Sequence, residues 1–177
     1  INIDPTIAGS VVGTYWFLMM IGRLCGASIG AKVSSRAMLT VVSTVGIVLV
    51  LGAIFCADNI LVNMPVFKSD ISFGFAQVPV NVMLLILCGL CTSVMWGGIF
   101  NLAVEGLGKY TAAASGLFMV MVCGGGILPL IQGGVADFAG FLNSYWVIAL
   151  GLAYILFYAA IGSKNVNTDI PTDDYEA

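Results

Sequence analysis

A single charge interrupts the first long apolar run of the chain. Arg23 lies within Ile7–Ala31, about eight residues before the basic turn Lys32–Arg36, or roughly 12 Å at 1.5 Å per helical residue. A cation at that depth in a bilayer costs at least about 2.5 kcal/mol. It must therefore face a cavity or a partner, or else snorkel and pin itself to a carbonyl. Trp16, Met19 and Met20 precede it at helical spacing, on or near the same face. A cavity-lining cation beside an aromatic ring suits a polar substrate or an acidic partner.

A later run holds Thr92, Ser93, Trp96 and Asn101. The first three fall on one helical face, where a ring can stack on the C–H face of a sugar while hydroxyls bind its polar groups. The alternative is that Trp96 packs and the hydroxyls bond their own backbone. Asn101 is expected as a buried amide that binds substrate or bridges helices. Gln132 follows Pro129 by three residues, sharing its face; in a span it binds substrate or bonds a neighbouring helix. Gly124, Gly125, Gly126 and Pro129 mark a structural kink or a flexible gate, since an internal proline frees a carbonyl and bends its helix. Glu105 and Lys109 are spaced as an i, i+4 surface pair, and Asp137 ends the fourth run in a capping or loop role.

Gly22, Gly26 and Gly30 form two overlapping G-x-x-x-G steps, a flat groove against which another helix packs closely or slides. Cys88 and Cys91 form a C-x-x-C inside an apolar run, with no second pair and no histidine in the chain. Zinc sites need further ligands, so the five cysteines read as small packing residues, and no metal or cofactor is expected. No histidine base, paired membrane aspartate or H-E-x-x-H motif is present, which argues against an enzyme.

The elements that carry these residues follow from composition. Of 177 residues 60% are hydrophobic and 8% charged, where a soluble domain carries about 25%. Lipid, not water, must surround such a chain, and the lack of a basic patch excludes nucleic acid as a partner. A membrane span needs about 20 apolar residues, and five segments qualify: 7–31, 37–57, 79–106, 112–135 and 144–162. These runs are too long, and alternate too little, for strands of a membrane barrel. The sequence therefore predicts an all-α integral membrane protein of about five transmembrane helices. The 58–78 connection is the longest loop, of no evident purpose, and residues 163–177 form a polar, acidic tail predicted to be disordered. Lys32, Arg36, Lys109 and Lys164 fall on one side and Lys68 on the other. The positive-inside rule makes the first side cytoplasmic, with the N-terminus outside and the tail inside. The chain opens on Ile with no charged leader, so a piece of a longer protein is expected.

Three stretches carry a family resemblance: TIAGSVVGTYWFLMMIGRLCGASIGAK, SVMWGGIFNLAVEGLGKYT and GLFMVMVCGGGILPLIQGGVADFAG. They resemble the C-terminal domain of the major facilitator superfamily, and within it the fucose/glucose/galactose:proton symporters. The resemblance implies helices eight to twelve of a twelve-helix transporter in the bacterial inner membrane, alternating access and proton-coupled uptake of a sugar. It implies that Arg23 and Trp96 face the central cavity, and that the proton-carrying acids belong to an N-terminal half lying outside this chain. That accords with the absence of Asp or Glu from the middle of every span. The turn after the first span departs from the superfamily signature in lacking its acidic residue. The competing readings are an exporter or facilitator of a non-sugar substrate, and a membrane scaffold without transport. A scaffold has no need of a mid-membrane charge.

Overall fold

The computed structural model describes residues 5–56, 60–67 and 72–164. Asp58, Lys68, Asp70, the end of the second predicted span at Ala57 and the acidic tail beyond Lys164 lie outside the described residues. Five helical stretches are long and apolar enough to cross a bilayer: Ile7–Gly30, Ser35–Phe55, Val80–Val104, Gly108–Ala139 and Tyr145–Gly162. The protein is a multi-pass membrane protein with the helical architecture that its composition predicts.

Three helices are continuous: α1 (Pro5–Gly30), α2 (Ser35–Phe55) and α3 (Val80–Val104). Ser34 caps α2 by accepting the Ala37 N–H at 3.3 Å. Small residues set the packing, because helices in lipid associate through close contact rather than hydrophobic exclusion. A Cβ on Gly22 would run into the Ser93 side chain and come within 3.0 Å of the Leu90 carbonyl, and one on Gly26 would strike Val94. The G-x-x-x-G face of α1 is thus spent on α3. On its other flank α3 meets α2, with Leu39 against Gly98 and Leu84 against Gly52. The main core comprises Leu39, Val50, Cys88, Cys91, Met95 and Leu102, joined by Ala149 and Leu152 of α6 (Tyr145–Phe157). A π-helical turn, Tyr158–Gly162, ends the last span. There Arg36 Nη2 donates to the Ser163 carbonyl at 2.9 Å, tying the start of α2 to the end of the last helix.

The fourth span differs from the sequence prediction. Instead of one helix bent at Pro129 it is two, α4 (Thr111–Met121) and α5 (Gly124–Ala139), and Pro129 sits inside the second. Around the break the bonds shorten to i→i−3: Cys123 N–H to Val120 at 3.3 Å, Gly125 N–H to Val122 at 2.8 Å and Gly126 N–H to Cys123 at 2.9 Å. Three consecutive glycines each cost about 1 kcal/mol of helix propensity. The proline removes a single bond, so the helix gives way at the leading edge of the glycines. Neither α4 nor α5 has a buried residue.

The loop between α2 and α3 also differs, because it is a β-hairpin. Strand β1 (Leu61–Phe67) pairs antiparallel with β2 (Phe73–Pro79), Asn63 opposite Gln77 and Pro65 opposite Phe75. The signal is the alternation in β1, where Met64 and Val66 are buried and Asn63 and Pro65 exposed; a two-stranded sheet tolerates Pro65 because every strand is an edge. The hairpin lies on α1. Thr14 Oγ1 accepts the Phe67 N–H at 2.9 Å and donates to the Ser10 carbonyl at 2.7 Å. Phe17 stacks on Phe67 with centroids 5.3 Å apart. Met64, Val66, Val78 and Ile86 form a second core there.

Candidate functional site

The α1–α3 seam divides its surroundings into two sides. At 3.6 residues per turn, Trp16 and Arg23 lie roughly 90° round α1 from the Gly22–Gly26 contact face. Trp96 lies about 80° round α3 from its own contact face, turned away from α2. Both helices run in the same direction, so these rotations bring Trp16, Arg23 and Trp96 to one side of the seam. Gly22 abuts Ser93; Arg23 is one residue further on and Trp96 three, so the two lie within a turn of each other in depth.

Arg23 is exposed, its Nη2 3.9 Å from Met19 Sδ. Among the described residues it has no acidic partner. Trp16, Met19, Met20, Arg23 and Leu24 border an open concavity of about 400 Å³. Trp16 is 61% and Trp96 46% exposed. Trp96 holds Phe118 of α4 edge-on at 5.2 Å, and Phe118 in turn meets Phe100 at 5.4 Å. The tryptophan thereby pins the broken span to α3 while half its surface stays open.

The hydroxyls divide. Ser93 is buried against Gly22 and bonds the Leu90 carbonyl at 2.6 Å, so its role is structural. Thr92, one turn from Trp96 on the open side, shares a 3.2 Å hydrogen bond with the hydroxyl of Tyr15 and bonds the Gly89 carbonyl at 3.2 Å. Sequence reasoning passed over Tyr15. The available signal was a phenol inside an apolar span, whose hydroxyl must find a partner.

Two predicted site residues do not join this group. Asn101 is exposed rather than buried, and five residues beyond Trp96 it lies about 140° round α3, on the opposite side of the seam. Gln132 is half-buried, with no hydrogen-bond partner among the described residues. It lies fourteen residues beyond Phe118, as much as roughly 20 Å along the span at 1.5 Å per residue. Gly124, Gly125 and Gly126 have open space where a Cβ would stand. Glu105 and Lys109 do not share a helix. Glu105 closes α3, and Lys109 lies in the 3-10 turn Gly108–Tyr110 with its ammonium 5.3 Å from the Tyr110 ring. Asp137 is exposed in the last turn of α5. Cys88 and Cys91 are buried in the core, whereas Cys25 and Cys123 are exposed. Among the described residues no His/Cys/Asp/Glu group is arranged to hold a metal.

One side of the seam thus carries a mid-span cation and two part-open tryptophan rings, with the Tyr15–Thr92 hydroxyl pair at the seam itself, groups able to meet a polar ligand by hydrogen bonding and ring stacking. The chain is 30% identical over 169 residues to a glucose/galactose transporter of Brucella abortus, covering 92% of the chain and 36% of the relative. A putative glucose/galactose transporter of Helicobacter pylori is also 30% identical over 169 residues, with 93% and 37% covered. These transporters are homologues of the chain over nearly its whole length. The L-fucose-proton symporter of Escherichia coli is 33% identical over 92 residues, 51% of this chain and 21% of that one. The chain spans about a third of the length of the curated relatives it matches, consistent with the C-terminal half of a fucose/glucose/galactose permease. No family model matches the chain, and no solved structure does.

Proposed function

We propose that this chain supplies one wall of the translocation pathway of a secondary active sugar transporter that works by alternating access with proton coupling. The observation that carries the proposal is the placement of Arg23, Trp16 and Trp96 on one side of the α1–α3 seam, with Arg23 lacking an acid among the described residues. Rings stack on the C–H faces of a pyranose, while the guanidinium and the Tyr15–Thr92 pair bond its hydroxyls or ring oxygen. Binding at a central site between two halves is how such transporters operate.

Relatives named glucose/galactose transporter and L-fucose-proton symporter support the substrate class and the coupled ion. No carboxylate sits mid-span, so the proton carrier belongs to the part of the protein outside this chain. The Val122–Cys123 break and Gly124–Gly126 serve as a gate hinge, with Pro129 stiffening the helix beyond. Gln132, further along the span, contributes at the mouth of the pathway. Lys32, Arg36, Lys109 and Lys164 share one end of the bundle and make that end cytoplasmic, in a bacterial inner membrane.

The test is uptake of radiolabelled L-fucose, D-glucose, D-galactose and D-mannose into vesicles carrying the full-length parent protein, with and without an inward proton gradient. One sugar should accumulate only with the gradient, and Arg23→Ala should abolish accumulation while leaving membrane insertion intact. Normal uptake by that variant removes Arg23 from the site. No uptake of any sugar by folded protein favours an exporter or a non-sugar substrate.

A further inference from the structure

The side of the α1–α3 seam opposite Arg23 carries a second concavity. It is a groove of about 400 Å³ between α1, α2 and α3, floored by Gly22 and Gly26 and walled by Ile29, Val33, Val41 and Val94. Its wall is apolar, and its rim is open: Ile29 is 52%, Val33 38% and Val41 60% exposed. The groove follows α1 from Gly22 to its end at Gly30, roughly 12 Å at 1.5 Å per residue, and continues to Val33 in the turn beyond. With that turn included it approaches half of a 30 Å hydrocarbon core, about the depth of one leaflet.

The end of the groove at the α1–α2 turn is polar. Lys32 is exposed beside Val33. Asn101, also exposed, follows Val94 by seven residues and so continues the same strip of α3 towards that end. Arg36, one turn into α2, adds a second positive charge while its Nη2 is held by the Ser163 carbonyl. An apolar channel one leaflet deep, closed at the interface by cations and an amide, matches an acyl chain below a phosphate. Basic residues beside a span attract anionic lipid at about 1 kcal/mol each.

From this geometry we infer that the groove binds an anionic phospholipid, one acyl chain along the Gly22–Gly26 floor and the headgroup phosphate at Lys32 with Asn101 beside it. The Arg23 face, roughly 90° away round α1, is left free for the rest of the transporter. The inference depends on the membrane location and not on the transported substrate.

The test uses the full-length parent protein, delipidated in detergent and titrated with palmitoyl-oleoyl phosphatidylglycerol, with the phosphatidylcholine of the same chains and with palmitate, bound lipid being counted by native mass spectrometry. Phosphatidylglycerol should be retained most strongly. Lys32→Gln should reduce its advantage over phosphatidylcholine by about five-fold, and Val41→Trp should lower retention of both phospholipids while leaving the detergent melting temperature unchanged. Equal retention of the two headgroups by the unmodified protein overturns the proposal. So does palmitate binding as tightly as phosphatidylglycerol, or unchanged retention by Val41→Trp. A dimer of the delipidated protein that Val41→Trp dissolves would assign the groove to a second copy instead.

Discussion

Two groups of glycines do opposite work in this molecule. Gly22 and Gly26 are pressed against Ser93 and Val94, and their missing side chains let α1 and α3 touch. Gly124, Gly125 and Gly126 have nothing near them, and their missing side chains let a helix fail. The residue type is the same, and what differs is whether a neighbour fills the space. Around the first group α1 packs on α3, α3 on α2 and α2 on α6, with the hairpin laid on α1. Around the second lies a broken span without a buried residue, pinned to α3 by the Trp96–Phe118–Phe100 cluster. Under the proposed function the first is the frame that keeps the Arg23 face in register, and the second is the segment that bends.

The contrast is broken most directly at its rigid end. Gly22→Val must push Ser93 and the α3 backbone aside, and overpacking of this kind costs about 1–3 kcal/mol or more. Most of the purified variant should be aggregated on size exclusion, and a monodisperse variant with an unchanged melting temperature would show that the seam is looser than described. Thr14→Val comes next. It strips the acceptor from the Phe67 N–H and should cost about 1–2 kcal/mol, seen as faster hydrogen exchange at the hairpin and proteolysis between β1 and β2. Phe118→Ala should cost about 1 kcal/mol through lost ring packing, detached from the rest of the fold and read as a red shift in tryptophan emission. The smallest effect belongs to Gly125→Ala. With open space for the methyl group it should raise stability by up to about 1 kcal/mol while slowing sugar uptake in the full-length protein. A fall in melting temperature at this position would mean that the triplet is packed after all, and the comparison would collapse.

The hairpin and the groove share a lesson about exposed residues. Phe73 and Phe75 are 67% and 79% exposed, and so are many apolar side chains facing lipid. In a membrane protein exposure of an apolar residue decides nothing by itself. Exposed polar groups are what separate the two sides of the seam: Arg23 on one side needs a polar partner at a depth where water is scarce, and Lys32 and Asn101 mark the interfacial end of the other.

Much of the molecule is determined by composition and run length alone. A chain 60% hydrophobic and 8% charged has to lie in lipid, and apolar runs of about 20 residues have to cross it as helices, because backbone groups in hydrocarbon must be satisfied within the element. The isolation of Arg23 and its helical spacing to Trp16 are equally local facts. The tertiary structure decided what depends on neighbours: that Asn101 is exposed rather than buried, that Ser93 is used up against Gly22 and that Tyr15 reaches Thr92. It also decided that the fourth span breaks at Val122–Cys123 rather than at Pro129. Spacing along a helix determines which residues share a face. Only packing determines what that face meets, because the same glycine or hydroxyl is satisfied by its own backbone, by an adjacent helix or by a ligand according to what stands beside it.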